Sequence, residues 1–261
     1  MITGGAGFIG SHLRSAIRSW HEVMIFDKER VDRSYPDGCR YVRGDITDYF
    51  SLSSAIESFK PDVIVHLAAV VSRKECEETP QIALTTNALG TQNVCYLALE
   101  HKARLIYAGS SEEYGHSCNG NDLITESTPL GAATGIYSLT KRLAEEVIQH
   151  FASKRGLQAT TLRFFMLYGP GEPFNDYRSA MVRFVNLALR NSTLTVHKGT
   201  TRSWCYIEDA VEAIRTVLER TQKESYEVYN IGRHEPIATS DLARMIISLT
   251  ESRSPILEID P

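Results

Sequence analysis

No stretch of this sequence approaches the roughly 18 consecutive apolar residues that a membrane-spanning helix needs. There is no basic excess either: 28 Lys and Arg stand against 32 Asp and Glu, a formal charge of −4. That balance offers no general attraction to DNA, RNA or an anionic membrane. Like charges do not run together, so no charged interaction tail is expected. Cysteine is sparse: Cys39, Cys76, Cys95, Cys118 and Cys205 are scattered and odd in number. None falls in a CxxC pair, which argues against a disulfide framework and against a zinc site. The opening Met-Ile-Thr-Gly-Gly lacks the basic flank and apolar core of a secretory leader. The expectation is a cytoplasmic protein with reduced thiols and no bound metal. Internal repeats and low-complexity segments are also missing.

What is present is an ordinary globular composition: 261 residues, 43% of them hydrophobic, enough for one large domain or a large and a small lobe. Short β-branched runs alternate with helical patterns, the signature of βαβ units and a parallel sheet. Strands are expected at 23–26, 62–67, 104–108 and 159–164. Phe8, Ile9, Leu13, Ala16, Ile17 and Trp20 recur at helical spacing, as do Leu143, Ala144, Val147, Ile148 and Phe151. Past Gly169-Pro170 the texture becomes shorter and less regular. The expected division is residues 1–167 as the main domain and 168–261 as mainly a smaller lobe, with some segments returning to the main sheet. Helices are expected at 209–218 and at 241–249, the latter capped by Thr239 or Ser240, and strands at 228–231 and 256–259. Both ends look abrupt, with only Met1 and Ile2 available for a strand before the first glycine loop.

That loop carries the first chemistry. Thr3-Gly4-Gly5-Ala6-Gly7-Phe8-Ile9-Gly10 spaces its glycines G-x-x-G-x-x-G and opens an amphipathic helix. Glycine is required where the backbone turns with positive φ and where no Cβ can stand between the chain and a pyrophosphate. The helix then offers N-terminal amides and its positive dipole end to the phosphates. A strand follows and ends in Asp27, close to the ~20-residue offset at which an acid binds the adenosine ribose. The fold expected is therefore α/β, a Rossmann-type doubly wound parallel sheet. A carboxylate at 27 accepts from the ribose 2′-hydroxyl and repels a 2′-phosphate, favouring NAD, although Lys28 and Arg30 lie nearby and favour the phosphate. Asp45, before Ile46 and after a third strand, either reaches the adenine or serves as a loop or N-cap aspartate.

Tyr137 and Lys141 lie four residues apart, on one face of a helix. A free phenol titrates near ~10, too high for a base at neutral pH. A neighbouring ammonium and the positive nicotinamide of NAD favour the phenolate, which then takes a hydroxyl proton as hydride leaves the same carbon.

Together the glycine loop at 3–10, His66-Leu67-Ala68-Ala69, Tyr137 with Lys141, Leu162-Arg163-Phe164-Phe165, Tyr168-Gly169-Pro170, Thr201-Arg202-Ser203-Trp204 and Tyr229-Asn230-Ile231-Gly232 resemble the extended short-chain dehydrogenase/reductases. More narrowly, the chain resembles the NAD-dependent epimerase/dehydratase family acting on nucleotide sugars. The resemblance implies a smaller C-terminal substrate-binding lobe and a cofactor site formed by Gly4, Gly7, Phe8, Ile9, Gly10, Asp27, Asp45, Ile46, Leu67, Ala68, Ala69, Tyr137 and Lys141. It makes Ser110 the hydroxyl that shares the sugar-oxygen proton with Tyr137. It places Ser111 and Arg202 on the substrate, Arg202 as a bidentate clamp for the diphosphate. Met166 stands where the family often has asparagine, and a thioether cannot replace two amide donors. His66 is expected to shape the cofactor wall. Asn87 either braces the active-site loop or packs. Cys118 and Cys205 are expected to be spectators. The resemblance also implies that the 82–101 and 137–151 helices pair across a two-fold axis, so a homodimer is expected.

Glu112 bears on the reaction. By resemblance, dehydratases and some decarboxylases carry glutamate here, where it removes the C5 proton once C4 is a ketone; otherwise it is a solvated loop acid. Dehydratases pair it with a preceding aspartate, and here that position is Ser111. The leading expectation is a UDP-sugar-type 4-epimerase that oxidises C4 transiently with bound NAD. The alternatives are a 4,6-dehydratase or decarboxylase using Glu112, a 4-keto-sugar reductase, and a non-catalytic dinucleotide sensor.

Overall fold

A computed structural model describes residues 1–29, 38–115, 123–174 and 179–260; Arg30 and Cys118 lie outside these ranges. The first strand, β1 (Ile2–Thr3), leads through the glycine loop into helix α1 (Phe8–Ile17). Strands β2 (Met24–Asp27) and β3 (Arg40–Arg43) and helix α2 (Tyr49–Phe59) follow. The chain continues through β4 (Val63–His66), the short helices α3 (Arg73–Glu78) and α4 (Pro80–Leu84), and helix α5 (Thr91–Glu100) to β5 (Arg104–Ser110). A single 3-10 turn (Ser111–Tyr114) then precedes α6 (Ile136–Arg155) and β6 (Ala159–Phe164).

The apolar runs become strands buried on both faces because helices cover both sides of a parallel sheet. Phe26, Leu105 and Leu162 have no exposed surface, and each such side chain contributes roughly 1.5–3 kcal/mol through burial. The helix expected at 82–101 is not uniform: between α4 and α5 lies a π-helical turn, Thr85–Gly90. Helix α6 stops at Gly156, which takes the left-handed conformation (φ 81°), and Lys154 and Arg155 in its last turn face the negative dipole end.

In the remaining chain are β7 (Met166–Tyr168), α7 (Ala180–Leu189), β8 (Leu194–His197), β9 (Thr201–Arg202), β10 (Trp204–Tyr206) and α8 (Ile207–Glu219). Last come β11 (Tyr226–Ile231), β12 (Ile237–Ala238), α9 (Thr239–Leu249) and β13 (Ile256–Ile259). Seven strands form one parallel sheet in the order β11-β6-β5-β4-β1-β2-β3. This is the doubly wound Rossmann arrangement. Its strand order reverses between β1 and β4, which opens a crevice beyond their carboxyl ends.

Two compact units result. The first joins Met1–Phe164 to Ala210–Ile231; the second comprises Phe165–Asp209 and the chain from Gly232 onward. The returning segment is thus 210–231, which adds β11 to the edge of the main sheet. The second unit has its own core of Phe184, Leu194, Val196, Trp204, Leu242 and Ile246. It carries three two-stranded pairings, β10-β7, β12-β9 and β13-β8. Neither Thr239 nor Ser240 caps α9: Ala238 is the N-cap and makes no side-chain cap bond. Thr239 sits inside the first turn and donates its hydroxyl to the Thr200 carbonyl, a tertiary bond that a local capping pattern cannot reveal.

Candidate active site

The crevice begins with glycines that the geometry requires. Gly4 has φ +70°, and a Cβ there would lie 2.5 Å from the Ala68 amide nitrogen. A Cβ on Gly10 would lie 2.5 Å from the Gly5 Cα, so helix and loop touch backbone to backbone. Gly7 is the N-cap of α1 and supplies no side-chain cap, which leaves the helix's first amides to a ligand. Phe8 and Ile9 open the helix, half-buried. Leu67, Ala68 and Ala69 form the facing wall beyond β4 and are likewise half-buried.

Asp27 ends β2 with its carboxylate turned to the loop: Oδ2 accepts from the Ala6 amide at 2.9 Å and Oδ1 from the Glu29 amide at 3.0 Å. Asp45 uses Oδ1 to accept from both the amide and the hydroxyl of Thr47, a local turn. Ile46 buries its side chain in the main core and presses on Gly90, so only its backbone remains to meet a ligand. The cradle fits a dinucleotide: a close-approach loop, an uncapped helix start and an acid at the second strand's end.

The candidate reactive groups come together at the end of β5. Ser110 ends that strand, and its hydroxyl is in hydrogen-bond contact with the Tyr137 phenol. Lys141, one turn beyond Tyr137, is buried and donates to the Ala108 carbonyl at 2.8 Å while lying over the Tyr107 ring. Burial lowers the Lys141 ammonium to about 8; an ionised Glu113 would pull the other way. Burial raises the Tyr137 phenol; the Ser110 bond works the other way, and Glu113 and Glu112 add to the rise. The Lys141 ammonium, one turn along the same helix, is turned to the strand carbonyl.

Helix α6 is fixed by partners that its own sequence does not announce. Glu77 of α3 accepts from the Ile136 amide at 2.7 Å. Asn87, within the π turn, accepts from the Val70 amide at 2.7 Å and donates to the Val70 carbonyl and the Thr140 hydroxyl, both at 3.0 Å. It therefore ties the loop after β4 to α6, which carries Tyr137 and Lys141. His66 is buried between the hydroxyls of Thr3 (2.7 Å) and Thr91 (2.9 Å). Burial and then Lys141 lower its pKa to about 3, so it is neutral and structural.

Glu112 follows Ser111 on the 3-10 turn and forms an ion pair with Arg73, the first residue of α3. Arg73 remains 64% exposed and Glu112 22% exposed. In the second unit, Met166 starts β7 and packs against that unit's core. Arg202 is exposed on β9 and donates to the Thr201 carbonyl at 2.8 Å. Burial and then Asp209 push the Cys205 thiol up to about 11, so it stays protonated at neutral pH. Three buried residues were given no role by the sequence: Glu113, Glu145 and Arg163. Each stood in a visible pattern: Glu145 at four-residue spacing after Tyr137 and Lys141, Glu113 three residues after Ser110 as in a capping box, and Arg163 inside the Leu162-Arg163-Phe164-Phe165 motif.

The sequence pattern of the NAD dependent epimerase/dehydratase family matches residues 1–232. The chain is 32% identical over 272 residues to a UDP-N-acetyl-alpha-D-glucosaminuronate decarboxylase of Bacillus cytotoxicus, covering 99% of this chain and 82% of that one. Among solved structures it is similar to the UDP-glucose 4-epimerase of Thermus thermophilus in complex with NAD. That match has a TM-score of 0.89 and 23% identity, covering 100% of this chain and 86% of the other; at that identity it speaks for the fold alone. It is also similar to MoeE5 in complex with UDP-glucuronic acid and NAD, with a TM-score of 0.85, 28% identity, and 99% and 84% of the two chains covered.

Proposed function

The chain belongs to the NAD dependent epimerase/dehydratase family, and from that premise we propose that it oxidises C4 of a UDP-hexuronic acid and then releases the C5 carboxylate as carbon dioxide. The observation that carries this reading is the Arg73–Glu112 ion pair beside Ser110 and Tyr137. A mostly exposed guanidinium there offers its remaining donors to a substrate carboxylate, the group to which a planar fork is matched. The likeness to a hexuronate decarboxylase and to a protein holding UDP-glucuronic acid points to the same substrate class.

Gly4, Gly7 and the start of α1 hold the pyrophosphate of NAD, and Asp27 its adenosine ribose. When bound, NAD supplies the hydride acceptor for C4 and the donor that restores it. Tyr137 takes the C4 hydroxyl proton, and Ser110 hydrogen-bonds that oxygen as it becomes a carbonyl. The C5 carboxylate is then β to a ketone. Its C–C bond breaks, carbon dioxide leaves, and the bonding pair enters the C4–C5 enolate. A solvent-derived proton then adds to C5. Arg202 and Ser111 are assigned to the substrate.

A second reading is 4-epimerisation of the same hexuronate with its carboxylate kept. The engagement of Glu112 by Arg73 favours it over dehydration, which needs a free carboxylate at C5. Turnover of UDP-glucuronate in deuterium oxide separates these outcomes. Decarboxylation gives carbon dioxide and a pentosyl product bearing deuterium at C5. A C4 epimer without deuterium selects the second reading. Turnover of neutral UDP-sugars alone would sink the hexuronate assignment.

A further inference from the structure

Beneath the reactive groups lies a carboxylic acid that the proposed chemistry does not use. Glu113 is fully buried. Its Oε1 accepts from the Ser110 amide at 2.6 Å. No N–H or O–H of the described residues reaches its Oε2 in hydrogen-bond geometry. That oxygen instead faces the side of Arg163 already committed to Glu145: Arg163 Nε lies 3.8 Å from Glu113 Oε2 and 3.0 Å from Glu145 Oε2. The two carboxyl groups are in hydrogen-bond contact.

An ionised Glu113 would leave a buried anion oxygen against a second carboxylate, with one guanidinium serving both, an arrangement that burial strongly disfavours. Placing a proton on Glu113 resolves every contact at once: the O–H donates to Glu145, and the carbonyl oxygen accepts from Ser110. Burial and Glu145 oppose a charge on Glu113, while the Lys141 and Arg163 cations favour one and are outweighed. Tyr107 faces it from β5, Tyr114 follows it on the 3-10 turn, Tyr137, Lys141 and Glu145 face it from α6, and Arg163 faces it from β6. Glu145 takes the charge because Arg163 donates to both of its oxygens.

We propose that Glu113 is a positioning residue for the hydride-transfer site, a neutral acid that fixes the Ser110 backbone through its carbonyl oxygen and keeps the space beneath Lys141 uncharged. Its hydrogen bond sets where the Ser110 hydroxyl points, and hence how that hydroxyl meets the Tyr137 phenol. A negative Glu113 would oppose the phenolate, since its charge raises the Tyr137 phenol. The catalytic consequence rests on the C4-oxidation reading; the protonation state does not.

The test uses the full chain and two variants. The infrared difference between wild type and Glu113→Gln at neutral pH needs no turnover. A protonated-carboxyl C=O band lost in the variant is expected, and loss of a carboxylate band instead overturns the proposal. With UDP-glucuronate, or whichever UDP-sugar is turned over, Glu113→Gln is expected to keep kcat within about twofold, since the amide supplies the same acceptor and donor. Its acid limb should superimpose on that of wild type; a limb moved to lower pH means that a charge was removed, and rejects the neutral acid. Glu113→Leu leaves the Ser110 amide without an acceptor. It should lower kcat by roughly tenfold or more, with KM and NAD binding little changed. Wild-type kcat in a folded Leu variant overturns the positioning role. If that variant does not fold, the infrared and Gln measurements still decide.

Discussion

The carboxylate that closes the second strand, Asp27, accepts a hydrogen bond from the amide of Ala6 inside the glycine loop at 2.9 Å. The acid assigned to the ribose therefore also holds the phosphate loop. Asp27→Ala should weaken NAD and improve NADP by comparison, because a ribose hydrogen bond and a repulsion of the 2′-phosphate vanish together. It should also loosen the loop, so that both dinucleotides dissociate faster. Calorimetry checks the preference; a wild type that already prefers NADP refutes the assignment.

Tyr137→Phe removes only the phenol oxygen. Turnover should fall by about 10²-fold or more while NAD remains bound, the usual scale for losing a general base. Activity within a few-fold of wild type would show that another group takes the proton.

Arg73→Ala tests the anion reader. KM for UDP-glucuronate should rise by roughly tenfold or more, while any neutral UDP-sugar that is turned over is little affected. Equal effects on both classes would mean that Arg73 acts only through Glu112.

His66 supplies a pH test of stability. Thr91 donates its hydroxyl to the Asn87 carbonyl, so it accepts from His66 Nε2, and Nδ1 accepts from Thr3. The folded pKa, about 3, lies below the ordinary 6.5. Between those values the unfolded chain binds the extra proton, so stability falls as pH drops through that window and is unaffected above it. The full effect is on the order of a few kcal/mol. His66→Asn should flatten the acid slope of the melting temperature; an unchanged slope would refute the assignment.

Apolar side chains remain exposed on the helical layer around α5 and α6: Leu89 at 57%, Tyr96 at 43% and Leu139 at 38%. The expected homodimer would cover them. Light scattering at micromolar concentration should give a dimer, and Leu89→Glu should give a monomer. A monomeric wild type removes the proposal.

The parallel sheet and the glycine loop were legible because period, glycine spacing and the acid at 27 are local signals. The return of 210–231 to the sheet was only partly legible: a strand at 228–231 was expected, but its pairing with β6 is set by distant chain. The π turn was invisible, as Thr85 to Gly90 fits an ordinary helix on paper. Tyr137 and Lys141 share helix α6, as their spacing suggests, but the Lys141 hydrogen bond to Ala108 depends on a strand 33 residues earlier. Arg163, though part of the Leu162-Arg163-Phe164-Phe165 motif, and Glu113, though in capping-box spacing to Ser110, were given no joint role for the same reason. Neighbouring strands bring them together, and no spacing along one strand encodes that meeting.

The contact between Gly4 and the backbone of Ala68 limits how this binding groove can be redesigned. An obstructing side chain yields by changing rotamer, but two main chains separated only by a missing Cβ do not. A library meant to retune cofactor choice gains nothing by randomising Gly4 or Gly10, because nearly all such variants would be lost as unfolded chains. Diversity belongs at the rim, at Lys28 and Glu29 beyond the second strand, where side chains are exposed.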